Sequence, residues 1–387
     1  MVCACAGEYR DRYGLTGREA RVLRAIAACR TEAMGGQVAA CNVCGAQHYH
    51  YHSCRNRHCP KCQVRAKEQW LERQRVQLLP VPYFHVVFTL PHTLNGLIRA
   101  NAALLYGQLF ESAAQTLRAF AKDPRWLGGE LGLTLVLHTW SQTLIHHPHV
   151  HGLVTGGALT QQGYWQPAKP GFLFPVQALS RVFRAKYLNA LDALRQAKVI
   201  HLPKELQEDQ AWLEFVTPLR QQSWVVYLKP PLSGPEQVLE YLARYTHRIA
   251  ISNERLLRID DDTVTFGYRP PHGSVAHNSK TMRLAHSEFL RRFLLHVLPS
   301  GFKRIRHYGL TANRNKADKL AVCRAVLNAP TPIAPDVESA EAFCRRVSGI
   351  DPHRCRHCKD GILIVIQQLP RPIRLPEIHA TGPPLSS

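Results

Sequence analysis

The chain lacks any apolar run long enough to cross a bilayer, and its opening residues, MVCACAGEYRDRYG, lack the apolar stretch of a secretory signal. Both absences point to a cytoplasmic protein with no membrane partner. Acidic residues are scarce. Asp and Glu number 28 against 49 Lys and Arg, a formal charge of +21. So one-sided a balance suits a polyanion, because phosphates neutralised by arginine release their counterions. No internal repeat is visible, and strands and helices do not alternate regularly. The expected fold class is therefore α+β, with a largely antiparallel sheet and flanking helices.

Cysteine, by contrast, is plentiful, with twelve residues. In a reducing compartment, clustered cysteines favour metal ligation over disulfides. Cys41 and Cys44 form one C-x2-C knuckle, and Cys59 and Cys62 form another after fourteen intervening residues. Two such turns complete a tetrahedron, so these four thiols are expected to hold one structural Zn2+. Cys54, His48, His50, His52 and His58 are spare donors nearby, Cys54 being the strongest rival. Arg55, Arg57 and Lys61 lie on the second knuckle, where they either contact DNA or form a solvated basic surface. A late cluster, Cys344, Cys355 and Cys358, contains one further knuckle without a visible partner.

Thr16 followed by Glu19 is a capping box that opens a helix, and VRAKEQWLERQRVQLLP reads as a basic helix stopped at Pro80. Aromatic and β-branched YFHVVFTL (83–90) reads as a strand, residues 94–121 as a long helix, and GLTLVLHTW and HVHGLVTGG as neighbouring strands. SWVVYL (223–228) is another strand. Ser233 and Glu236 mark a second capping box, LLRIDDDTVTFGYR is a hairpin with an acidic turn, and HSEFLRRFLLHVLP is a helix ending at Pro299. The proline-bearing tail from about 360 is expected to be mobile towards its end.

Within LIHHPHVHGLVTGG, His149 and His151 are two apart. On a strand, both imidazoles face one side while Val150 faces the other, which is what two ligands to one metal require. A satisfied pair of histidines on a half-exposed strand is the plain alternative. In EYLARYTHR, Tyr241 and Tyr245 share one helix face at i, i+4, with Arg244 and Arg248 near it. Core aromatics are the plain alternative here. A tyrosine can attack a DNA phosphate and hold the cut end covalently, a divalent cation can polarise that phosphate, and arginine can bear the developing charge.

Taken in order, SCRNRHCPKCQ, HPHVHGLVTGG, WVVYLKPP, YLARYTHRIAISNERL and GFKRIRHYGL resemble the two-tyrosine HUH transposases of the IS-ninety-one family, over residues 10–320. The resemblance implies a zinc-binding, DNA-contacting module (1–78), an HUH nuclease domain (79–310) and a carboxy-terminal segment (311–387) with a candidate second zinc knuckle. It implies rolling-circle transposition. Tyr241 or Tyr245 would form a 5′-phosphotyrosine on single-stranded DNA at the element's ends, and the second tyrosine would permit strand transfer to target DNA. His149 and His151 would hold Mg2+ or Mn2+, with His138, Gln142 or His147 as candidates for a third ligand. A plasmid relaxase or replication initiator would share this chemistry. A non-catalytic zinc-dependent DNA-binding protein would need the cysteines and the charge but not the tyrosines.

Overall fold

A computed structural model of the chain describes residues 2–229, 236–237, 239–240, 250–269, 280–332 and 338–372. The chain forms two compact units, and neither is one continuous stretch. The first comprises residues 1–69, 247–297 and 334–387, the second residues 70–246 and 298–333. This corrects the expectation of three consecutive segments divided at 78 and 310. The physical reason within the first unit is strand pairing. Leu363–Leu369 runs antiparallel to Gly36–Cys41, from Gly36 opposite Leu369 to Cys41 opposite Leu363. The stretch from about 360 contributes this strand, and the end of the tail, expected to be mobile, lies beyond residue 372 and outside the described residues.

In the first unit the capping box at Thr16 is formed in both directions. The Glu19 amide donates to Thr16 Oγ1 at 3.2 Å and the Thr16 amide donates to Glu19 Oε2 at 2.9 Å, opening the helix Gly17–Ala28. Gly36–Cys41 is the centre of a three-stranded sheet, with Leu363–Leu369 on one side and Gln47–Tyr51 on the other. The predicted hairpin forms from Leu256–Ile259 and Thr263–Tyr268, and Lys280–Ala285 adds a third antiparallel strand. Helix His286–Leu294 follows, with Phe289 buried against Phe266 (ring centroids 6.0 Å apart) and the helix Val2–Tyr13 packed on it.

The second unit is built on a five-stranded antiparallel sheet in the spatial order Ile305–Gly309, Gly132–Trp140, His146–Thr155, Tyr83–Thr89, Val226–Lys229. Its period-two alternation divides the side chains. Phe84, Val86, Phe88, Leu133, Leu135, Leu137, Val150 and Val154 enter one apolar core with residues of the helices Ala102–Lys122, Val176–Gln196 and Asp209–Gln221. His85, His138, His149 and His151 fall on the alternate positions of the same strands. The helix expected over 94–121 is two helices, Asn95–Ala100 and Ala102–Lys122, separated at Asn101. Asn101 leaves the helical region (φ −128°, ψ 39°), and its side-chain amide donates to the carbonyls of Leu97 and His201 and accepts from the His201 amide. No helix among the described residues is long and apolar enough to cross a membrane.

Gly152 is central to the sheet, opposite Val86 and Leu135. A Cβ there would lie 2.6 Å from Val86 Cγ1 and 2.9 Å from Leu135 Cδ2, inside contact distance of two fixed core side chains. Gly152→Ala should therefore destabilise the second unit by about 1–3 kcal/mol, read as a lower unfolding midpoint in denaturant. An unchanged midpoint would show that the core yields at no cost.

Candidate metal centres and nucleic-acid interface

The histidine strand His146–Thr155 delivers His149 and His151 to the same side of the sheet, and strand pairing sets His138 directly opposite His149. All three side chains are buried, and a ring nitrogen from each lies within 4.8 Å of the others. The Nε2 atoms of His149 and His151 are 3.0 Å apart. That is about the separation of adjacent octahedral corners around a cation with bonds of about 2.1 Å, so the donor set fits a divalent ion. The backbone and a neighbour fix the tautomers. His149 Nδ1 donates to the His147 carbonyl at 2.6 Å, which leaves the lone pair on Nε2. His151 Nδ1 lies 2.9 Å from His85 Nε2, with the two rings stacked. For Nε2 of His151 to face a cation its proton must sit on Nδ1, and His85 Nε2 is placed to accept it.

His85 was not singled out in the sequence, although it occupies an alternate position of a predicted strand. Of the three candidates for a third ligand, His138 joins the cluster. His147 instead meets His92 (Nδ1 to Nε2, 2.7 Å), and Gln142 belongs to none of the groups of metal donors among the described residues. His146 is buried against Tyr106, its Nε2 2.8 Å from the phenolic oxygen. Tyr241, Tyr245, Arg244 and Arg248 lie outside the described residues.

Among the described residues of the first unit, eight cysteines form two groups, not the single group expected from Cys41, Cys44, Cys59 and Cys62. Cys29, Cys54, Cys59 and Cys62 meet in one, and Cys41, Cys44, Cys355 and Cys358 in the other. On spacing alone, either knuckle could pair with any other; the fold assigns each a different partner. Sγ–Sγ distances are 3.3 Å for Cys29–Cys62, 3.6 Å for Cys54–Cys62, 3.6 Å for Cys41–Cys358 and 3.8 Å for Cys44–Cys355. A tetrahedral zinc with Zn–S bonds of about 2.3 Å sets its sulfurs about 3.8 Å apart, whereas a disulfide needs about 2.05 Å. The spacing fits zinc. Cys344 takes no part and packs its thiol against Ser348. Arg55, Arg57 and Lys61 are exposed along the loop that carries Cys54, Cys59 and Cys62, and Arg55 holds a left-handed backbone (φ 51°).

Electrostatics distinguish the two kinds of centre. Burial holds the His149 imidazole down to about 3, with His147 nearby adding to the effect, and burial with the neighbouring Lys229 holds His85 down to about 4. Burial also holds His151 well below 6.5, so all three present neutral rings at neutral pH. Among the thiols, Cys41 is drawn down to about 6, first by the Cys44 amide, and Cys54 to about 5, first by the Cys59 thiol. Burial pushes Cys29 up to about 11. A cation between four thiols removes this conflict by stabilising every one as thiolate.

A pH dependence follows from the histidines. Their folded values lie below the ordinary 6.5, so the unfolded chain takes up protons first as pH falls. The unfolding midpoint of the second unit should be level from about pH 8 to 7 and fall below about 6.5, down towards 3 to 4. A midpoint that stays level to pH 5 would mean these rings are not buried neutral.

The chain matches two family models. Residues 2–90 match one described as "Transposase zinc-binding domain", and residues 132–319 match one described as "Putative transposase". It is 45% identical over 368 residues to the Sinorhizobium fredii protein called "Putative transposase y4qJ", covering 93% of this chain and 92% of that one. It is 30% identical over 365 residues to the transposase for insertion sequence element IS801 of Pseudomonas savastanoi pv. phaseolicola, covering 92% of this chain and 85% of that one. No solved structure matches it. The zinc-binding model spans Cys29 to Cys62 and agrees with the thiol geometry there, and the second model spans the whole histidine cluster. The chain belongs to the IS-ninety-one family of insertion-sequence transposases.

Proposed function

We propose that this transposase nicks single-stranded DNA at the ends of its insertion sequence and rejoins the cut strand elsewhere, in rolling-circle transposition. Tyr241 and Tyr245 are the nucleophiles, and His138, His149 and His151 hold the divalent cation. The observation that carries this reading is the convergence of three buried imidazoles on one face of a sheet, within the span that matches a transposase model. Neutral lone pairs held on a rigid strand suit a cation and little else. The +21 balance of the chain suits a polyanionic substrate.

A phenol with a pKa near 10 is a poor nucleophile at neutral pH. Mg2+ or Mn2+ at the histidines supplies polarisation of the scissile phosphate when bound. The phenolic oxygen of one tyrosine forms the new P–O bond as it loses its proton. The bond from phosphorus to the 3′ oxygen breaks, and that oxygen leaves as a free 3′-OH. The 5′-phosphotyrosine conserves the phosphodiester energy, so a 3′-OH can later displace the tyrosine without an external energy source. The second tyrosine permits a paired exchange of strands between element end and target. Arg244 and Arg248 offset charge that develops on the phosphate. Arg55, Arg57 and Lys61, exposed beside the zinc-binding thiols, neutralise backbone phosphates of the bound DNA. A transposase that acts on the DNA of the nucleoid would do so in the cytoplasm.

The test is covalent capture. Wild-type protein with single-stranded end oligonucleotides and Mn2+ or Mg2+ should yield a protein–DNA adduct stable to denaturation. Tyr241→Phe with Tyr245→Phe should abolish it. His149→Ala with His151→Ala should lower it by about 100-fold or more while leaving the thiol-bound zinc in place. Adduct formation by the double phenylalanine variant would refute the assignment of the nucleophiles.

A further inference from the structure

We infer that Cys41, Cys44, Cys355 and Cys358 form a second, separate structural zinc site, a clasp that joins two parts of the chain more than 300 residues apart. Only the first pair falls within residues 2–90, the span of the zinc-binding model, so Cys355 and Cys358 lie well beyond it. The readout below is a metal count, so the inference stands or falls independently of the nicking chemistry.

The case rests on more than proximity, because the two knuckles are built alike. At the first, the Gly45 amide donates to the Cys41 carbonyl and the Cys41 amide to the Ala46 carbonyl. At the second, the Lys359 amide donates to the Cys355 carbonyl and the Cys355 amide to the Gly361 carbonyl. The residue after the second cysteine is left-handed in both, Gly45 at φ 71° and Lys359 at φ 67°. Lys359 adopts this backbone despite carrying a Cβ, a cost that a specific turn must offset. Backbone amides also aim at sulfur. Those of Val43 and Cys44 point to Cys41 Sγ (3.4 and 3.5 Å), that of His357 to Cys355 Sγ (3.4 Å) and that of Gly361 to Cys358 Sγ (3.3 Å). Amides donated to sulfur stabilise thiolates rather than thiols, and thiolates are what a metal needs.

The two knuckles also grip each other. The Asn42 amide donates to the Ile362 carbonyl at 3.1 Å, and the Ile362 amide returns a bond to Asn42 Oδ1 at 2.8 Å. Gly361 sits where a Cβ would lie 2.1 Å from Cys41 Sγ, so only glycine admits the approach of the four sulfurs. Cys41 and Cys355 are buried with Ala39 and Leu363, while Cys358 is half-buried and Cys44 is exposed. Four thiolates around Zn2+ carry a net charge of −2, and Arg354, Arg356 and Lys359 flank the second pair in sequence to offset it. His48 Nε2 reaches to 3.7 Å from Cys355 Sγ, which places it as a partner of a ligand rather than a fifth ligand.

The experiment counts zinc in the full-length protein by elemental analysis against protein concentration. Wild type should carry two ions per chain. Cys355→Ser with Cys358→Ser should carry one, as should Cys41→Ser with Cys44→Ser. All four substitutions together should still carry one, because both pairs serve the same ion. His48→Ala should keep two. A single zinc in wild type, or complete loss in the four-fold variant alongside partial loss in each pair, would overturn the clasp. Cobalt substitution of the unaltered chain covers the case of variants that fail to fold. Tetrathiolate absorbance should rise until two equivalents of Co2+ are bound, and saturation at one equivalent would equally overturn it.

Discussion

The sheet of the second unit depends on one constraint, the strict alternation of side chains along His146–Thr155. Val150 and Val154 must enter the apolar core for the strand to stay in register, and that obligation drives His149 and His151 to the opposite face. A slip of one residue would set two imidazoles among leucines and turn the valines to the histidine face. The energetics of the core thus hold the geometry of the metal-binding face. Pairing with Gly132–Trp140 then brings His138 beside them, and pairing with Tyr83–Thr89 brings His85 to His151.

The first unit follows a different logic. Its sheets are small, and the strand Leu363–Leu369 leaves Ile364, Val365 and Ile366 largely exposed, so apolar burial alone offers little to hold it. Sulfur clusters stand at the points where short segments converge. One gathers the end of a helix with a basic loop, through Cys29 and Cys54, Cys59 and Cys62. The other fastens the sheet at the register point where Cys41 faces Leu363. Small folds that cannot bury enough apolar surface use metal in this way.

Much of this was legible in the residues. The H-x-H pair declared its common face through period two alone, the Thr16 capping box formed as read, and the α+β class followed from the mixture of elements. What escaped was whatever depended on contacts distant in sequence. His138 was one of several candidates until strand pairing set it opposite His149. His85 carried no motif, because a lone histidine on an apolar strand has no partner visible in one dimension. The cysteine pairs were recognised as knuckles but wrongly matched, since the spacing within C-x2-C says nothing about which second knuckle it will meet. Asn101 broke a helix through side-chain bonds to His201 that no local pattern announces.

The discontinuous first unit has a consequence for the fate of damaged copies of the gene. A reading frame cut short between the tyrosine segment and Cys355 still encodes the histidine strand and both tyrosines, but it omits the strand that pairs with Gly36–Cys41 and the donors that face Cys41 and Cys44. Such a product carries an open edge and unsatisfied thiols at its amino-terminal module. Ribosomal synthesis imposes the same order on intact copies, because the sheet around Gly36–Cys41 can close only once Cys355, Cys358 and Leu363–Leu369 have emerged.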